Sequence, residues 1–316
     1  MKITLPGYIK SKKPIILALG CSFTEKDYVS TDPSLSEEEK GPWPMWPELL
    51  GNKFREETGK DYEVVNIAQS GFGLDWCKNL FFENLSKYEG KWNLGRIEKC
   101  FWAGTSWDRF FLPGANSYVS PMASRINLGY YATQVPHKPI YVNGAKVKDA
   151  FNQKDKMYLM NKKNFKSQFA NIGLDTYLDH LIGYVFQKPR GYERFIHDRL
   201  IDIMSVFYAC KGQGIEFMYD QLLHPWSFDL QENNWYGSNI VFDTIIKLPE
   251  YKIIEKNKKH FVKWPWGPPF EEWIYPINKP KEMESMYVSK ADRHPNAKGQ
   301  RHIADKYWSW YVNNSN

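Results

Sequence analysis

Cysteine is scarce and poorly spaced for cooperation. Cys21, Cys77, Cys100 and Cys210 form no CxxC pair, which excludes a zinc ribbon and a thioredoxin-like redox motif. Three of the four sit among apolar or aromatic neighbours, the usual setting of buried free thiols, so a reducing compartment is expected. Long hydrophobic runs are also missing. Nothing approaches the roughly 18 consecutive apolar residues of a membrane span. The opening segment MKITLPGYIKSKKPIILALG has neither the apolar length nor the small-residue cleavage pattern of a signal peptide. The expectation is a soluble protein, cytoplasmic where it is made, with no membrane partner.

Motifs that hold cofactors are absent too. No HExxH occurs and no carboxylates have metal-site spacing, while Gly71 and Gly73 stand without a GxGxxG or GKS/T pattern. Neither a metal nor a nucleotide cofactor is expected. Charge of one sign is barely in excess, with 42 basic against 36 acidic residues and a net charge of +6. The densest basic run, Lys256, Lys258 and Lys259, reads as a solvated face. Without a basic stripe on one element, nucleic acid is not expected as a partner.

Aromatic residues, by contrast, are plentiful: 16% of the chain, including 13 Trp. They either fill a core poor in smaller apolar residues or wall a groove suited to sugar rings and other flat ligands.

The apolar run from Lys13 to Leu19 reads as a strand buried on both faces and leads into Gly20-Cys21-Ser22-Phe23-Thr24. A helix is expected over Trp46 to Thr58, a strand over Tyr62 to Ile67, a helix over Asp75 to Leu85 and a strand over Ile97 to Ala103. A long helix follows over Tyr192 to Lys211, then a strand over Ile215 to Tyr219 and a last helix from Asn296 to about Val312. Strand, turn and helix repeated with short connections imply a mainly parallel sheet covered on both sides, with residues 1–316 as one α/β domain. Two stretches, about 113–190 and 222–285, break the pattern. They read as irregular insertions, the first with some helix near Asp175 to Phe186 and the second dense in Pro and Trp, fit for a lid or binding wall. In such sheets ligands sit beyond the carboxyl ends of the strands. The turns at Ser22, Ser70-Gly71 and Thr105-Ser106 should therefore converge.

Ser22, just after a buried strand and a glycine, has the placement of a nucleophilic serine or, more plainly, of a helix cap. Near the other end, Asp292-Arg293-His294-Pro295-Asn296-Ala297-Lys298-Gly299 puts a carboxylate two residues before a histidine. A carboxylate there can hold the imidazole tautomer and stabilise the cation formed when His accepts a serine proton. As a plain alternative, the pair belongs to a surface loop. Asn296 is suited to cap the last helix. His180, His197 and His302 read as ordinary helix-face residues, and His224 as a structural one.

The strand ending in GCS, the turn NIAQSGFG, the strand ending in Gly104-Thr105 and the terminal DxHPNxKG resemble, in order, the blocks of the SGNH/GDSL hydrolase superfamily. The resemblance spans about Lys13 to Asp108, Tyr192 to Asp220 and Asp292 to Trp310, and leaves out both irregular stretches. It implies a three-layer α/β/α sandwich of flavodoxin-like SGNH hydrolase type and hydrolysis of esters, often acyl or acetyl groups on carbohydrates or lipids. It further implies Ser22 as nucleophile and oxyanion donor, Gly71 as a second amide donor, His294 as general base and Asp292 as its orienting acid. The partner implied is a small-molecule or glycan ester, without a cofactor.

The chain departs from the family in two places. Cys21 replaces the acidic residue before the nucleophile. The third block, Gly104-Thr105-Ser106-Trp107-Asp108-Arg109, lacks the asparagine that normally completes the oxyanion hole. A hydroxyl of Thr105 or Ser106 is the candidate substitute, and Arg109 is a candidate for binding an anionic substrate or for pairing with a nearby acid. The missing asparagine leaves a second reading open: a catalytically weak SGNH-like domain that binds glycan or joins an assembly. Abundant Lys, Asn and Tyr with a divergent third block also resemble SGNH-like proteins of bacteria or their viruses.

Overall fold

The computed structural model describes residues 13–70, 73–86, 97–105, 107, 109–111, 125–127, 140–142, 145–147, 191–223, 245–262, 285–289, 292 and 294–314. Strand β1 (Ile15–Leu19) leads to helix α1 (Trp46–Thr58), strand β2 (Glu63–Asn66), helix α2 (Leu74–Ser86) and strand β3 (Ile97–Ala103). Short strands follow as two antiparallel pairs, β4 (Arg109–Phe111) with β5 (Arg125–Asn127) and β6 (Ile140–Val142) with β7 (Ala145–Val147). Helix α3 (Gly191–Gly212), strand β8 (Glu216–Asp220), helix α4 (Pro249–Lys256), strand β9 (Phe261–Val262) and helix α5 (Ala297–Asn314) complete the described elements.

The main sheet is parallel, in the order β2-β1-β3-β8-β9. β1 and β3 are entirely or almost entirely buried, which is why both read as near-continuous apolar runs. Alternation along β1 divides the core in two. Ile15, Leu17 and Leu19 pack with Leu74, Cys77 and Phe81 of α2 and with Ile196, Leu200 and Phe207 of α3. Ile16 and Ala18 face Trp46, Leu50 and Phe54 of α1 and Ile303, Ala304 and Tyr307 of α5. Helices therefore cover both faces, and the three-layer α/β/α arrangement expected from the sequence is present.

The helices and strands expected from residue patterning lie within a residue or two of the observed ones. Both stretches read as irregular differ: the first contains β5, β6 and β7, and the second contains α4 and β9, which adds a fifth strand beside β8. A two-residue strand leaves no readable alternation, so its pairing is visible only in three dimensions. The helix expected near Asp175 to Phe186 lies outside the described residues.

The strand order creates a switch point. From β1 the chain crosses to β2 on one side, then passes back over to β3 on the other. Connections leaving β1 and β3 thus diverge, opening a crevice at their carboxyl ends where ligands bind in open α/β sheets. Ser22 stands three residues beyond the end of β1.

Phe54 anchors the α1–α5 layer. It is 1% exposed, and its ring meets Tyr62, Trp308 and Tyr311 edge-on at centroid distances of 5.3, 5.0 and 4.8 Å. Replacing a buried Phe by Ala removes its transfer energy and leaves a cavity. Phe54→Ala should lower unfolding free energy by about 3–5 kcal/mol, measured as the urea midpoint at constant m-value; a loss below about 1 kcal/mol would show that the layer packs without it.

Candidate active site

Ser22 sits in a tight turn after β1. The Cys21 carbonyl accepts from the amides of Thr24 and Glu25 at 2.8 and 2.9 Å. A Cβ on Gly20 would lie 2.8 Å from Thr24 Cβ, so the turn folding Thr24 back over it requires glycine, and 3.3 Å from the Ala103 carbonyl oxygen of β3. Cys21 points into the core and is 1% exposed, whereas Ser22 keeps 8%. The cysteine is packing; the serine is the accessible hydroxyl.

Two buried amide side chains hold the surroundings. Gln300 of α5 donates to the Phe23 carbonyl at 3.1 Å and accepts from the Trp46 amide at 2.9 Å, satisfying one orphan donor at the start of α1. Trp46 Nε1 donates to Thr24 Oγ1 at 3.0 Å. At the end of β3, Gln221 donates to the carbonyls of Thr105 and Leu223 at 2.9 and 2.6 Å and accepts from Trp107 Nε1 at 2.8 Å.

The Asp292–His294 segment is the tip of a folded-back loop. Val288 and Asn296 amides donate to the His294 and Met286 carbonyls at 3.0 and 2.9 Å, closing the loop below the tip. Asn296 caps α5 as its position suggests, accepting from the amides of Lys298 and Gly299 at 3.0 and 3.1 Å. Gly299 is required there, since a Cβ would lie 2.9 Å from Pro295 Cβ and 2.5 Å from the Met286 carbonyl oxygen.

Head and tail of the chain meet at this point. His294 Nε2 lies 2.7 Å from Ser22 Oγ, and His294 Nδ1 lies 2.5 Å from Asp292 Oδ1. The His294 amide also donates to Asp292 Oδ1, at 3.1 Å. Asp292 Oδ2 accepts from Tyr28 Oη at 2.9 Å and from Ser30 Oγ. Burial opposes ionisation of Asp292, but hydrogen bonds from His294 and Ser30 and the attraction of the imidazole outweigh it, holding the carboxyl well below the usual carboxylate range. Two serines and Asp32 tie the two segments into a ring. The Asp292 amide donates to Ser289 Oγ at 2.9 Å, Ser289 Oγ to Asp32, the Asp32 amide to Ser30 Oγ at 3.1 Å, and Ser30 Oγ back to Asp292.

The other sequence candidates divide. Thr105 is fully buried and presents no surface to a ligand in this conformation. Gly71 and Ser106 lie outside the described residues, and of Arg109 only the backbone, in β4, is described. His197 pairs with Glu250 at 3.0 Å, joining α3 to α4, in keeping with an ordinary face residue. Among the described residues there is no cluster of three or more metal-ligating side chains, and no helix is long and apolar enough to cross a membrane. Tyr28, Ser30, Gln221 and Gln300 were not legible as site residues. No motif marks them: Tyr28 and Ser30 lie in a polar loop between a buried strand and a helix, Gln221 just after β8 and Gln300 inside α5.

No protein-family model matches the chain, and no curated protein does. Similar solved structures include a chain described as a GDSL-like lipase from Parabacteroides merdae, at 12% identity and TM-score 0.44 over 96% of this chain and 98% of that one. The psychrotrophic esterase EstA from Pseudoalteromonas sp. is similar at 12% identity and TM-score 0.42, over 95% and 98%. The acetyl xylan esterase AlAXEase is similar at 12% identity and TM-score 0.41, over 93% and 98%.

The carboxylate makes the site pH-sensitive in a defined direction. A group with a depressed folded pKa stabilises the fold above its unfolded value, near 3.9 for Asp, and loses that contribution as pH falls through the folded value. The stability difference between wild type and Asp292→Asn should therefore shrink as pH falls below about pH 4. Urea midpoints at pH 7, 4 and 3 measure it; a difference that does not change with pH would rule out an ionised, hydrogen-bonded Asp292.

Proposed function

We propose that the protein is a serine ester hydrolase of SGNH/GDSL type, with Ser22 as nucleophile, His294 as general base and Asp292 as the acid that orients it. The observation that carries the reading is the 2.7 Å contact between Ser22 Oγ and His294 Nε2, made by residues 272 positions apart. With the Nδ1 proton directed at Asp292, the Nε2 lone pair is left for the serine proton. Ser22 Oγ then attacks the ester carbonyl carbon as its proton passes to Nε2, giving a tetrahedral oxyanion. Collapse releases the alcohol, which takes the Nε2 proton. Water, giving a proton to the same nitrogen, attacks the acyl-serine; the acyl–Oγ bond then breaks, Ser22 Oγ takes the proton back from Nε2, and the acid is freed.

The oxyanion donors in this proposal are the backbone amides of Ser22 and Gly71. With Thr105 buried, Ser106 is the candidate third donor from the turn that Gln221 braces. Trp46, Trp102 and Trp107 fill the core, so it is the Trp-dense stretch 222–285 that supports an acyl or acetyl ester on a carbohydrate as the substrate class, with Arg109 available to an anionic group. A second reading keeps one specific support. The third block has no asparagine amide, and loss of one oxyanion donor costs about 2.7–4 kcal/mol of transition-state stabilisation, as expected of a weakly catalytic SGNH-like domain that binds glycan or joins an assembly.

Turnover of p-nitrophenyl acetate separates the two. Ser22→Ala should reduce the rate to background, and Asp292→Asn should lower kcat by roughly 10⁴-fold, because the amide favours the wrong imidazole tautomer. Equal rates for wild type and Ser22→Ala would overturn the hydrolase reading in favour of the binder.

A further inference from the structure

Between β1 and α1 the chain makes a long excursion whose polar residues fold over the His294 imidazole. Tyr28 lies against the ring face, with centroids 4.3 Å apart and planes inclined by 30°. Phe23 meets the same ring edge-on at 5.1 Å and 62°. The imidazole is therefore restrained by two aromatic side chains as well as by the carboxylate.

Tyr28 Oη lies 2.9 Å from Asp292 Oδ2 and 2.8 Å from His294 Nδ1. An ionised carboxylate has no proton to give, so the phenol must donate to Oδ2. Its oxygen is then left with lone pairs facing Nδ1, and the Nδ1 proton is shared between Asp292 Oδ1 and Tyr28 Oη. If the phenol proton pointed at Nδ1 instead, the ring proton would reside on Nε2, directed at Ser22, and the base would be blocked. Burial, followed by the bond to Asp292 and the charges of Asp292 and Glu25, pushes the Tyr28 phenol up, so it stays a donor. Ser30 supplies the second proton to Oδ2, and the His294 amide adds another to Oδ1. Asp292 thus accepts four hydrogen bonds, which fixes the carboxylate plane that the imidazole follows.

We infer that Tyr28 is a positioning residue of the Ser22–His294–Asp292 site: its hydroxyl bridges Asp292 and His294 Nδ1, selecting the tautomer protonated on Nδ1, whose Nε2 lone pair is open to Ser22, while its ring holds the imidazole plane. The inference rests on the hydrolase reading for its kinetic consequence and on geometry alone for the tautomer. Ser30 supports the same carboxylate without touching the imidazole.

Tyr28→Phe removes the hydroxyl and keeps the stacked ring, so the fold should survive, with a thermal midpoint close to wild type. With p-nitrophenyl acetate, kcat should fall about tenfold, the loss of one hydrogen bond at a charged group, with KM within about twofold. In proton NMR the downfield Nδ1–H resonance of His294 should shift or broaden into exchange with water, because one of its two acceptors is gone. Ser30→Ala should leave that resonance in place. Retention of wild-type kcat in Tyr28→Phe, or a kcat loss with an unmoved Nδ1–H resonance, overturns the inference. If wild type and Ser22→Ala turn over equally, the hydrolase reading is what fails, and the resonance alone then decides the role of Tyr28.

Discussion

Asp292 is the point on which the site depends. Its carboxylate gathers donors from its own loop, the His294 amide and ring, and from the distant β1–α1 excursion, Tyr28 and Ser30. A partly buried charge is tolerated only when it is paired and hydrogen-bonded. Here the same bonds that satisfy the charge join the two loops. Removing any donor would leave the carboxylate under-satisfied, and removing the Tyr28 hydroxyl, which also touches the ring, would loosen the imidazole. The local electrostatic requirement and the geometric one are therefore met by a single set of contacts.

The scaffold contributes two fixed ends to that junction. Burial of β1 on both faces sets the position of Gly20 and hence of Ser22. On the other side, the Asn296 cap and the tight passage at Gly299 set where α5 begins, and so where the preceding loop must turn. Gln300 connects them directly, since it touches both the Phe23 carbonyl and the first amide of α1. Backbone groups left over at a helix start and at a turn are satisfied by one buried amide. That amide ties the Ser22 turn to α5, the helix that follows His294.

What could be read from residues alone followed physical signal strength. β1 and β3 were legible because strands buried on both faces leave uninterrupted apolar runs, and α1 and α2 because one face of each is apolar at helical spacing. Ser22, Asp292 and His294 stood out because a serine after a buried strand and a carboxylate two residues before a histidine are uncommon local arrangements. Tyr28 and Ser30 carried no such mark. Their importance comes from a meeting of segments more than 260 residues apart, which no local pattern encodes. β9 escaped notice for a related reason: two residues are too short for periodicity, and its strand character comes from lying beside β8. The third block remained ambiguous, since a missing asparagine says what is gone and not what replaces it.

The wide separation of serine and imidazole along the chain has a consequence for biosynthesis. A ribosome releases the Ser22 turn, its strand and most of the sheet long before the loop that carries His294. Until that loop arrives and closes over the first turn, Ser22 lacks the imidazole that it meets in the finished fold. The contact between Ser22 and His294 is thus absent from partly made chains by topology alone.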